Sequence, residues 1–132
     1  MRLCLALCAL ACGFPTFVSA QQPTQPPADA IRVYLDCSWM CDDQFTRTEI
    51  NYVNWVRDKA DAHVHVLVSR LGTGGGGSQY TLTFTGLKNF LGREDTLRYN
   101  ASTMDSEDAV RRGLVRTIKF GLVPFIAATS GA

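Results

Sequence analysis

The chain has 132 residues and a mass of 14.5 kDa, enough for one domain of ordinary size. Hydrophobic residues make up 46% and charged residues 19%, which excludes a disordered tail. Thirteen basic against twelve acidic residues, with no basic run, exclude nucleic-acid binding through net charge, and five Cys with two His are too few for a metal-rich protein.

Met1-Arg2 is a minimal positive start, followed by an apolar run from Leu3 to Cys12. Val18-Ser19-Ala20 supplies the small-x-small pattern a signal peptidase needs, so the chain reads as a signal peptide over 1–20 with cleavage before Gln21. The run is shorter than the roughly 20 apolar residues of a bilayer span. The competing readings are an N-terminal core segment and a lipoprotein signal at Cys12. Ala9-Leu10-Ala11-Cys12 has a small residue before the Cys but lacks the usual Leu three residues back. Cleavage removes Arg2, Cys4, Cys8 and Cys12 and leaves twelve basic and twelve acidic residues. No later apolar run reaches about 18 residues, so no transmembrane helix is expected after signal removal. Residues 21–30 are polar and Pro-rich and read as an extended leader.

A single domain is expected over 31–128. Ile31 to Asp36 alternates apolar and polar residues and predicts a strand. Cys37 to Asp43 reads as a turn. Thr46-Arg-Thr-Glu49 has the capping-box pattern, and Ile50, Val53 and Val56 then fall on one helical face, predicting a helix of about 15 residues that ends near Lys59. His63 to Arg70 alternates again, with Val64, Val66 and Val68 on one side. A Gly-rich loop separates it from Gln79 to Thr85, where Tyr80, Leu82 and Phe84 face the core and three Thr face away. A shorter strand is expected over Thr96 to Ala101. The last element is a long helix capped by Asp105 or Ser106, with Val110, Leu114, Ile118, Gly121 or Leu122, and Phe125 as its apolar stripe; Pro124 should stop or kink it.

The predicted fold class is therefore α+β: a two-layer β-α-β-β-β-α sandwich, a mixed four-stranded sheet with two helices on one face. A helix of about 15 residues, about 22 Å long, returns the chain to the start of strand one. The first two strands should then run parallel through a right-handed crossover, the rest forming an antiparallel meander.

Cys37 and Cys41 are the only thiols left after cleavage, and in an exported chain such a pair reads as a disulfide. Four residues of extended chain span about 13 Å. A disulfide needs its α-carbons about 4.4–6.8 Å apart, so the segment must fold back at the strand-to-helix corner. A redox dithiol is the sharper alternative, but such sites normally have two intervening residues rather than three. A zinc site adding His63 and His65 is opposed by topology, which puts them about 15 Å or more from the Cys pair. Alone, the two His read as solvent-facing strand residues.

Gly72-Thr-Gly-Gly-Gly-Gly77 matches G-x-G-x-x-G by letters, but it lies between two strands, so it reads as a hairpin loop rather than a dinucleotide cradle. Asp36, Asp42, Asp43 and Glu49 crowd one corner. Negative charge at a helix N-terminus is the plain reading, a cation or acid–base site the sharper one. Asn100-Ala-Ser102 is a glycosylation sequon by letters only.

Several strings carry a resemblance: Leu35-Asp-Cys37, Arg47-Thr-Glu-Ile50 with Asn54-Trp-Val-Arg-Asp58, Val64-His-Val66, Gly72-Thr-Gly-Gly-Gly76, Tyr80-Thr-Leu-Thr-Phe84, Asp95-Thr-Leu97 and Arg111-Arg-Gly-Leu-Val-Arg116. The stretch from Val33 to Phe125 resembles the N-terminal periplasmic domain of an uncharacterised group of Gram-negative envelope proteins, in which it follows a signal peptide and precedes an outer-membrane β-barrel-like region. The resemblance implies a periplasmic place, a Cys37–Cys41 pairing and no known enzyme activity or cofactor. It brings no catalytic, cofactor-binding or metal-binding residues to carry over. No barrel follows here, which reads either as a truncated product or as a domain working alone. The element order is also similar to small periplasmic domains such as that at the N-terminus of the Tol translocation protein, by architecture only.

The expectation is a non-enzymatic cell-envelope domain that contacts an envelope protein partner through the polar sheet face of His63, His65, Thr81, Thr83 and Thr85, or through the Gly-rich loop. The alternative is a small exported enzyme or thiol-redox protein centred on Cys37 and Cys41. A ligand-binding module would need a pocket that the sequence does not reveal, and oligomeric state stays open.

Overall fold

The structure, a computed structural model, describes residues 25–130 together with Gly13 and Ser19. The signal-peptide reading over 1–20 lies outside the described residues apart from those two. The described chain is a mixed α+β fold: five strands and two α-helices, with three single 3₁₀ turns between them. In chain order, β1 is Arg32–Asp36, α1 is Asp43–Glu49, β2 is Asn54–Trp55, β3 is Val64–Gly72, β4 is Ser78–Gly86, β5 is Glu94–Ala101 and α2 is Glu107–Ser130. They form one sheet in the order β2-β1-β3-β4-β5. β1 runs parallel to both β2 and β3, and β3, β4 and β5 form an antiparallel meander. The strands at 31–36 and 63–70 run parallel and a meander follows, as expected, but the connection between the two is a seven-residue helix and a short strand rather than a 15-residue helix.

The expected four strands are five, and the helix expected from Thr46 to Lys59 is the difference. The helix starts earlier, at Asp42, whose Oδ1 accepts from the Phe45 N–H at 2.9 Å, and it stops after seven residues. Thr46 is not its cap: its Oγ1 donates back to the Asp42 carbonyl. The chain then turns to lay Asn54–Trp55 beside β1. The Trp55 indole donates to the Ile50 carbonyl at 2.8 Å, so a freed helix-end acceptor is met by a side chain instead of another turn of helix. Ile50 and Val53 are fully buried as the spacing suggested, but they reach the core from a turn. The leader is not simply extended. The Ala30 N–H donates to the Pro27 carbonyl, and the Asn54 amide donates to the carbonyls of Pro27 and Ala30, which fastens the chain to β2.

The core lies between the sheet and α2. Val33, Val64, Val66, Val68, Leu82 and Phe84 supply the sheet side, and Leu114, Ile118, Leu122 and Phe125 the helix side. α2 comes close because two of its residues have no side chain. Gly113 abuts the Tyr99 ring of β5 and Gly121 the Phe84 ring of β4, where a Cβ would overlap ring atoms. Ser106 caps α2, its Oγ accepting from the Ala109 N–H at 3.1 Å. Pro124 does not end the helix, which continues to Ser130. α1 lies beside α2 and adds Phe45 and Thr46 to the core margin. No helix among the described residues is long and apolar enough to cross a membrane.

Candidate functional site

Strand alternation leaves the sheet with one covered face and one open face. On the open face, cross-strand partners form rows. Tyr34, His65, Thr85 and Glu94 make one row, Asp36, Leu67, Thr83 and Thr96 the next, and Ser69, Thr81 and Arg98 a third. No described helix lies over them. Thr81, Thr83 and Thr85 are half-buried there, as the Thr periodicity predicted. Among them sit two exposed leucines, Leu67 at 41% and Leu71 at 69% exposure. β-branched Thr shields the strand backbone, while the leucines give the face its apolar area.

The two histidines do not share this face as free groups. His63 turns inward: its Nδ1 accepts from the Arg32 N–H at 3.0 Å, and its ring meets Phe90 edge-on. Burial, then the positive charges of Arg32 and Lys88, push the His63 pKa down. It is a neutral acceptor joining β1 to the start of β3. His65 points to the open face but is buried, its ring 5.4 Å from that of Tyr34. Its Nε2 makes no hydrogen bond among the described residues and lies 3.4 Å from Asp36 Oδ2.

Cys37 and Cys41 are joined as a disulfide, with α-carbons 5.7 Å apart. The fold-back between them is a 3₁₀ turn over Ser38–Met40, closed by the Met40 N–H on the Cys37 carbonyl, with Ser38 at φ +48°. Cys37 is buried in the core, and Cys41 is half-buried at its margin. The loop pushes Trp39 outward to 78% exposure, where the Arg70 guanidinium lies 5.8 Å from its ring centre. A groove of about 760 Å³ runs between this loop, Arg70 and the N-terminal turn of α2.

The four corner carboxylates do not converge. Asp36 faces His65, Asp43 pairs with Arg47 at 2.7 Å, and Glu49 lies 3.9 Å from Lys119. Asp42 caps α1 and also meets Arg111 at 3.4 Å. Among the described residues no group of three His, Cys, Asp or Glu side chains is placed to hold a metal ion. Arg111 is the residue that spacing alone did not single out. Its guanidinium bridges Asp42 and Asp108 and stacks 4.4 Å from the Phe45 ring centre, tying α1 to α2. Hydrogen bonds from Arg112 and Arg111 hold the Asp108 carboxyl below its usual range. The Gly-rich segment is the β3–β4 hairpin loop, its turn closed by the Thr73 N–H on the Gly77 carbonyl, so it meets no helix N-terminus. Asn100 lies within β5, its Oδ1 accepting from the Gln79 amide. Compared with protein-family models, curated proteins and solved structures, the chain has no match.

Proposed function

We propose that the chain is a non-enzymatic, exported domain of the Gram-negative cell envelope. In this reading it is delivered by residues 1–20 and works in the periplasm as an accessory or interaction domain of an outer-membrane protein. The observation that carries the reading is the open sheet face. It is broad and lined with Thr, with Leu67 and Leu71 standing out of it. Such a surface suits a protein partner better than a small substrate. The disulfide supports an oxidising compartment. The sequence resemblance to envelope domains supports the same place.

The thiol-redox alternative has less support. The first sulfur belongs to a buried core residue, away from the partial exposure that a reactive thiol needs. The test is to express the whole chain in a Gram-negative host and weigh the protein released by osmotic shock. The expected mass lacks residues 1–20 and two hydrogens at Cys37 and Cys41. A full-length, reduced protein retained in the cytoplasm would sink the proposal. Leu67→Lys combined with Leu71→Lys should then abolish cross-linking to envelope proteins without unfolding the domain.

A further inference from the structure

The sheet ends at β5, whose far side carries no neighbouring strand among the described residues. The ladder to β4 fixes which groups face outward. The Gly86 N–H donates to the Arg93 carbonyl, so residues 95, 97, 99 and 101 also bond toward β4. The main-chain groups of Glu94, Thr96, Arg98 and Asn100 therefore point to the free edge. The Thr96 N–H is met there only by the Asp95 carboxylate of its own strand, at 2.9 Å.

From this edge we infer that the chain forms a homodimer by antiparallel pairing of β5 with β5 of a second copy, centred on Thr96. This goes beyond the envelope reading and does not depend on it. Charged side chains guard a solitary edge, and against a second copy they do so where like charges come opposite one another. Here the signs alternate. Placing Thr96 opposite Thr96 puts Glu94 of each copy opposite Arg98 of the other, on the same sheet face and at outward-bonding positions. Shifting the centre by one position to Leu97 sets Glu94 against Asn100, and centring on Arg98 opposes two guanidinium groups. Only the Thr96 register pairs both charges, and cross-strand opposite charges favour a pairing while like charges oppose it. The Thr96 amide exchanges the Asp95 carboxylate for a carbonyl of the other strand.

The covered face agrees with this arrangement. A two-fold axis through Thr96, perpendicular to the sheet, sets both α2 helices on one side of the seam. Pro124 borders the start of β5 with Arg93 and Asp95, and Phe120, one turn earlier on the same stripe, is 66% exposed. Strands are about 4.8 Å apart and packed helices about 8–10 Å, so helices lying over β4 and β5 come close enough for Phe120 to reach across. The two open faces then join into one ten-stranded surface, twice the five of a single sheet.

The test is sedimentation of the purified protein with three variants, each checked for native circular dichroism. A dimer is expected. Arg98→Glu should weaken it about tenfold by setting carboxylates against each other, and adding Glu94→Arg should restore it. Thr96→Cys should form an intermolecular disulfide, because hydrogen-bonded antiparallel partners have α-carbons about 5.5 Å apart. Asn100→Cys should not. A protein that stays monomeric at high concentration overturns the proposal, including one whose edge instead takes up a strand of another protein. So does a dimer indifferent to Arg98→Glu, or one that cross-links through residue 100.

Discussion

Gly121 illustrates how one missing side chain sets a whole packing distance. It stands where the Phe84 ring meets α2, and both are buried in the core. The ring is enclosed, so it cannot swing away from an added methyl. Gly121→Ala is therefore expected to destabilise the fold by about 1–3 kcal/mol despite the better helix propensity of Ala, as overpacking costs do. Gly113→Ala should cost less, because the Tyr99 ring it meets is only half-buried and can move. Urea unfolding of both variants checks the order. His63 gives the pH dependence. Its folded pKa lies below the ordinary value of 6.5, so the unfolded chain binds a proton first as pH falls. The stability it contributes is full above that value and is lost as pH drops through the folded pKa. The melting temperature should accordingly fall below about pH 6.5. His63→Gln, which keeps an acceptor for the Arg32 N–H and does not titrate, should flatten that part of the curve.

At the scale of elements, Pro124 lies inside α2, and its missing N–H leaves the Phe120 carbonyl without its helical bond. Pro124 is exposed, so replacing it loses little packing. Pro124→Ala should stabilise the fold by up to about 3 kcal/mol, the interior cost of Pro relative to Ala. Thermal melts of the variant check it; an unchanged melting temperature means the local backbone already meets that cost. The same element shows what periodicity conveys and what it does not. The strands β1, β3, β4 and β5 and the core stripe of α2 follow directly from alternation and from the 3.6-residue repeat, because each buries one face over a long run. The helix expected from Thr46 to Lys59 fails because Ile50, Val53 and Val56 have helical spacing by coincidence. What decides that segment is a local bond that periodicity does not register, the Trp55 indole on the Ile50 carbonyl, and a long-range one, the Asn54 amide on Pro27 and Ala30. The site divides in the same way. The Cys37–Cys41 turn and the Thr-lined face are local patterns and legible. The inward turn of His63 depends on Arg32, 31 positions away, and the exposed edge of β5 depends on the strand order, so neither could be read from spacing.

For the whole molecule, the question is how much of the fold hangs on the one covalent cross-link among the described residues. The disulfide closes a very short loop, since Cys37 and Cys41 are four positions apart. Chain entropy gives so small a loop about 2 kcal/mol. The core that it borders is continuous without it, running from Val33 through Leu82 and Phe84 to Phe125, and Arg111 joins α1 to α2 independently of the sulfurs. The disulfide is therefore a clasp on one corner rather than the support of the domain. Cys37→Ala with Cys41→Ala should leave a folded protein whose melting temperature is lower by about 10 °C. Mild reductant should leave the native disulfide intact, since Cys37 is buried. Unfolding of the double variant at room temperature would show that the corner, and not the sheet and α2, carries the stability. Rapid reduction of the native protein without loss of structure would instead return attention to the thiol-redox reading.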